Sequence, residues 1–197
     1  MATRLTSLCS LAAARAYVGV TDEGDTAHDS LLTQIADGVS ESFEQATGRR
    51  FVTRTLTEYH DGHGDAVLFL HYFPVISVTS IKVRRSPSDA AFETVDSASY
   101  RIALDRGAIT FHDDHLDVGR SNVEVIYSTG YGAQDAATLP GDVYLAALDM
   151  VKALYTEAAS GAQAASAVNI GNHSFIIKPD WPKHVKQVLT AWRRAAF

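Results

Sequence analysis

The side chains most able to do chemistry lie close together in His112-Asp113-Asp114-His115-Leu116-Asp117. Imidazole and carboxylate together are a donor set for zinc or manganese. His112, Asp114, His115 and Asp117 would be the ligands of a metal-dependent hydrolase. The run falls in an expected loop after a strand, however, and has no helical i, i+4 pair to hold two ligands in place. A solvated turn is therefore the expectation, and no catalytic or metal-binding residue is assigned. His60 and His63 flank an expected hairpin tip, and His71, in Leu-His-Tyr-Phe-Pro, is read as a packed edge-strand residue. Thr21-Asp22-Glu23-Gly24-Asp25 is acidic but lacks the spacing and closing glutamate of a calcium loop. There is no phosphate-cradling glycine loop followed by Lys-Ser/Thr, no dinucleotide fingerprint and no Gly-x-Ser-x-Gly elbow. Gly130-Tyr131-Gly132 is an isolated turn, and no cofactor is expected.

Cations and aromatics are the next candidates. Arg49, Arg50 and Arg54 could form a phosphate-binding patch, and Arg49, Arg50, Arg84 and Arg85 together would serve a DNA-contacting accessory factor. Cations at a helix end are also favoured by the helix dipole alone. Trp181, Trp192 and Phe197 stand beside Arg193 and Arg194 in an otherwise polar tail, a combination found in interface anchors. The alternative is that both tryptophans pack back on the core. The formal net charge of −6 argues against a dedicated nucleic-acid binder, which carries a basic excess. An acidic surface is still compatible with DNA sliding past without sticking. Cys9 is the sole cysteine, which rules out an intrachain disulfide and a cysteine-based zinc site. The N-terminal apolar run is short and broken by Ser10 and Arg15, so it reads as a helix of a soluble protein made in a reducing, intracellular setting. No apolar run reaches membrane-spanning length.

The elements that must position these side chains follow from periodicity. Leu31, Leu32, Ile35, Val39, Phe43 and Ala46 recur at three- and four-residue spacing and predict an amphipathic helix over 29–47. Asp37, Ser40, Glu41 and Glu44 are expected on its other face, with Asp29 or Thr26 capping it and Gly48 ending it in the left-handed conformation. A first helix is predicted over 6–18, capped by Thr6 or Ser7 and ended by Gly19. Pro140 opens a third over 140–157, and Val185, Val188, Leu189 and Trp192 mark a fourth. Between them, 51–131 reads as antiparallel β. It starts with a strand at Phe51, has a hairpin loop at 61–65 with a return strand at 66–70, and continues with strands at 75–83, 92–95, 100–104, 108–111 and 122–128. The expected class is α+β: a helical core of about four helices with an inserted antiparallel β region and extended arms. Residues 1–157 make the core. Residues 158–197 make a mobile small-residue linker, an arm and a C-terminal helix whose removal, from 181 on, should spare folding.

Several segments stand out in order: Ala16-Tyr17-Val18-Gly19-Val20, Asp29-Ser30-Leu31-Leu32, Glu44-Gln45-Ala46-Thr47-Gly48-Arg49-Arg50-Phe51, Leu68-Phe69-Leu70 and Phe73 to Val83. Val123 to Tyr131, Leu139-Pro140-Gly141-Asp142-Val143 and Pro182 to Arg194 complete the series. Taken together, they resemble the phage head–tail connector (adaptor, or head-completion) proteins of long-tailed double-stranded DNA bacteriophages. The resemblance implies a structural virion protein without catalysis, assembled in the host cytoplasm and carried in the neck. It also implies a ring of roughly twelve copies, closed by head-to-tail contacts, beneath the portal protein. That ring would bridge the portal to a tail or further head-completion (stopper or terminator) protein, and DNA would pass through it without sequence-specific binding. On this reading Trp181, Trp192, Arg193, Arg194 and Phe197 dock a partner, and Arg49, Arg50, Arg84 and Arg85 lie near the ring contacts or the DNA.

Overall fold

The computed structural model describes residues 7–22, 24–84, 91–112, 116–133, 137–159 and 181–193. Its elements in order are α1 (Leu11–Val18), α2 (Asp29–Thr47), β1 (Arg54–Gly62), β2 (Val67–Phe69), β3 (Val75–Val83) and β4 (Glu93–Thr94). A short 3-10 turn (Ser97–Ser99) precedes β5 (Tyr100–Ala103), β6 (Ala108–Phe111), β7 (Gly119–Thr129), α3 (Gly141–Ala159) and α4 (Lys183–Trp192). The α+β class holds, with two compact units: Met1–Val52 joined with Tyr131–Phe197, and Thr53–Gly130. The expected linker at 160–168 and arm at 170–177 lie outside the described residues.

In the helical unit, α2 presents Leu32, Ile35, Ala36, Val39 and Phe43 to a core completed by Val143, Ala147, Met150 and Val151 of α3 and by Val185 and Leu189 of α4. Gly48 ends α2 at φ 68°, and its N–H returns to the Glu44 carbonyl. Some local expectations change. α1 begins at Leu11 with Ser10 as its cap, because the Ser7 hydroxyl is drawn away to Asp37 and the Leu8 N–H bonds to Ser40 Oγ at 2.8 Å. His28 occupies the cap position of α2 without a side-chain cap bond, and Asp29 pairs with Arg15 instead. Ser40 and Glu44, expected in solvent, are buried, because α1, α3 and α4 all pack on α2. Ser40 is satisfied by the Leu8 N–H and the Ala36 carbonyl, and Glu44 by Arg50. Asp149 of α3 accepts from Tyr17 of α1 and contacts His184 of α4, so one carboxylate ties three helices together. The tail was expected to be dispensable for folding. Instead Trp181, Val185 and Leu189 are core residues, because the α4 stripe has the same burial requirement as α2.

The β unit holds two antiparallel sheets, of order β1-β7-β3-β4 and β2-β6-β5. The expected hairpin at 61–65 does not form. β1 pairs with β7 from Arg54↔Thr129 to Gly62↔Gly119, and β2 pairs with β6 in the other sheet. The chain approaches itself closely at the end of β1: a Cβ on Gly62 would lie 2.0 Å from the Asp117 carbonyl oxygen. Buried Asn122 bridges this point, accepting from the Gly62 N–H and donating to the Asp117 carbonyl, each at 2.7 Å. Phe51, expected to start the strand, is instead fully buried in the helical unit. No helix among the described residues is long and apolar enough to cross a membrane.

Phe43→Ala should destabilise the chain by about 3–5 kcal/mol, the range for emptying a packed aromatic site. Leu145→Ala, at a side that is 52% exposed, should stay within about 0.5 kcal/mol of wild type. Urea unfolding monitored by circular dichroism tests the pair, and equal costs would contradict this account of the core.

Candidate functional site

Two clusters carry most of the polar chemistry. The first is in the β unit and was not foreseen. Strand alternation puts Glu58 and His60, two apart on β1, on one face. His71, just beyond β2, comes to the same place. Glu58 Oε2 lies 2.9 Å from His60 Nε2 and 2.9 Å from His71 Nδ1, and it accepts the His71 backbone N–H at 3.0 Å. The fully buried Tyr127 hydroxyl donates to Oε1. The two imidazoles stack with centroids 5.0 Å apart. Burial pushes the Glu58 carboxyl up, but the bonds from His60, Tyr127 and His71 outweigh it and hold the group down at about 2. Burial first, and then the bond to Glu58, push the Tyr127 hydroxyl well above the usual phenol range. Among the described residues these three side chains are a group able to hold a metal ion. Of the loop singled out in the sequence, only His112, Leu116 and Asp117 are among the described residues. Asp114 and His115 lie outside the described residues, the His112 N–H bonds to the Ser99 carbonyl, and Asp117 contributes its backbone carbonyl to Asn122. The spacing of Glu58 and His60 was visible in the sequence, but the arrival of His71 depends on a packing that has no local signal. Cys9 is buried, and burial raises its thiol to about 12, so it is inert as a nucleophile.

The second cluster is in the helical unit and gathers several of the cations and aromatics of the sequence reading. Arg49, just after α2, donates through Nε to the Trp192 carbonyl at 2.8 Å and through a terminal nitrogen to the Tyr131 hydroxyl at 3.1 Å. Its guanidinium lies 5.8 Å from the centre of the Trp192 ring. Phe51, Tyr131 and Trp192 contact one another with centroids 5.4–6.0 Å apart, and the Trp192 indole N–H reaches Asp142 at 2.6 Å. Trp181 packs on Phe43 at 5.8 Å and is only 7% exposed. Arg193 is exposed and caps α4, whereas Arg194 and Phe197 lie outside the described residues. Arg50 pairs with buried Glu44 at 2.6 Å. Arg84 sits 5.3 Å over the Phe92 ring, and Arg85 lies outside the described residues. Arg49 and Arg50 are thus bound into the fold. Because ammonium cannot reproduce the guanidinium fork, Arg49→Lys should cost about 1–2 kcal/mol of stability. Thermal unfolding of the variant tests this, and wild-type stability would mean that Arg49 is a surface cation.

The fold has solved counterparts. "Virion of native gene transfer agent (GTA) particle" contains a chain with TM-score 0.67 and 18% identity, over 95% of this chain and 90% of that one. "Neck of empty GTA particle computed with C6 symmetry" contains one with TM-score 0.68 and 17% identity, over the same shares. "Neck of native GTA particle computed with C12 symmetry" contains one with TM-score 0.64 and 17% identity, over 100% and 97%. At these identities the likeness is one of fold. None of the curated proteins matches. The family described as head completion protein matches residues 7–195, nearly the whole length. Every described helix and strand falls inside that match, and the chain belongs to the head completion protein family.

Proposed function

We propose that this chain is a structural head–tail adaptor of a phage-type virion. Its copies form a ring under the portal, join the DNA-filled head to the next tail or head-completion protein, and line the DNA exit channel. The observation that carries this reading is the family match over residues 7–195. A ring of about twelve copies is supported by the C12 symmetry named for one neck of the same fold. The role requires no catalysis. The hydrolase alternative built on His112, Asp114, His115 and Asp117 draws no support from the family or from the neck structures.

Head-to-tail closure needs surfaces on the β unit that a neighbour can cover. Tyr59, Phe69 and Ile76 are exposed there at 55%, 61% and 47%. Arg193 and the residues after it are the partner-docking segment in this proposal, with Trp181 and Trp192 acting indirectly by seating α4. Of the basic residues, Arg84, with Arg85 beside it in sequence, is assigned to the channel. Arg49 and Arg50 act by stabilising the fold. The net charge of −6 keeps the channel from gripping passing DNA.

Electron microscopy of heads assembled with and without the chain tests the proposal. With it, a closed ring should sit beneath the portal and tails should join. Without it, heads should lose DNA and remain tailless. Heads that lack the chain yet keep their DNA and acquire tails would overturn the reading.

A further inference from the structure

We propose that Glu58, His60 and His71 form a site for a divalent transition-metal ion, with zinc the best match to two imidazoles and one carboxylate. Each residue offers one donor atom, and the three donors lie within 4.8 Å of one another. Zinc bonds of about 2.0–2.2 Å in a tetrahedron put ligand atoms about 3.3–3.5 Å apart. Glu58 Oε2 is 2.9 Å from each nitrogen, so the oxygen and each nitrogen need to part by only a few tenths of an ångström.

Without metal, the nitrogen each ring turns to the carboxylate must carry the proton. With metal, the same nitrogen must offer its lone pair instead, so ion binding and a proton on that nitrogen are mutually exclusive. Tyr127 supplies the outer support that metal carboxylates commonly have: its hydroxyl holds Oε1 and leaves Oε2 to face the histidines. The buried carboxylate supplies charge to offset the cation, and the His71 side chain, 64% exposed, opens the cluster to entry from water. Three protein donors leave a fourth position for water. An ion here would clip β1 of the four-stranded sheet to the segment just after β2 of the three-stranded sheet, within the β unit. Its effect would be added stability, since an ion that binds only the folded chain shifts the equilibrium toward it.

The test uses the full-length chain without a histidine tag, stripped with chelator and titrated with zinc chloride by calorimetry, and separately with cobalt(II), read by visible absorption. One equivalent of zinc should bind and raise the melting temperature, and cobalt should give the intense visible bands of a tetrahedral site. His71→Ala, at an exposed side chain that the core does not need, should abolish both signals. Tyr127→Phe should weaken zinc binding by about 10- to 100-fold, the usual cost of losing an outer-shell partner. His63→Ala, just after β1 and outside the cluster, should bind like wild type. No saturable binding at one equivalent, or binding that survives His71→Ala, would overturn the site and leave a hydrogen-bond network only.

Discussion

The helical unit depends on burying the apolar stripe of α2. Nineteen residues of helix cannot hold their shape in water on propensity alone, and most of their stability comes from packing. α1, α3 and α4 each cover part of α2, and Phe43, Phe51 and Trp181 fill the space between them. Covering one helix from several sides has a consequence for its polar face. Ser40 and Glu44 lose their water and must find partners within the protein, which they do in Ala36, Leu8 and Arg50. Asp149 of α3, which keeps part of its exposure to water, adds a link between helices through Tyr17 and His184.

An equivalent constraint shapes the β unit. β7 lies between β1 and β3, and its inward residues Val123, Val125 and Tyr127 are fully buried. Bringing β1 against it also buries Glu58, and an ionised carboxylate out of water is costly unless it is paired and hydrogen-bonded. His60, His71 and Tyr127 supply that pairing. A carboxylate surrounded by two imidazoles is also a donor set for a cation, so a structural solution and a binding capacity arise from the same atoms.

The arginines show how a charge can be used to hold a fold together. Arg49 and Arg50 follow directly after a helix C-terminus, where the dipole favours cations, and they donate to the Trp192 carbonyl and to the Glu44 carboxylate within the protein. The contact between Arg49 and the last turn of α4 seats the C-terminal helix on the corner between α2 and the chain that leads to β1.

Much of this fold was legible in the sequence. The bounds of α2, its glycine stop, the strands at 75–83 and 108–111, the helix after Pro140 and the α4 stripe follow from local periodicity and from residues with strong backbone preferences. These signals act within a few residues, so no knowledge of distant neighbours is needed to read them. Strand pairing was not legible: the 61–65 segment has turn chemistry, yet β1 joins β7 some sixty residues away, where Gly62, Gly119 and Asn122 fit together. Nor was it legible that Trp181 faces inward, that Ser40 and Glu44 are buried, or that His71 meets Glu58 and His60. Composition and spacing alone determined the α+β class, the main helices and the absence of the familiar catalytic motifs. Which polar groups lose their water, and which side chains meet as a result, only the tertiary structure decided, because burial depends on what packs opposite each residue.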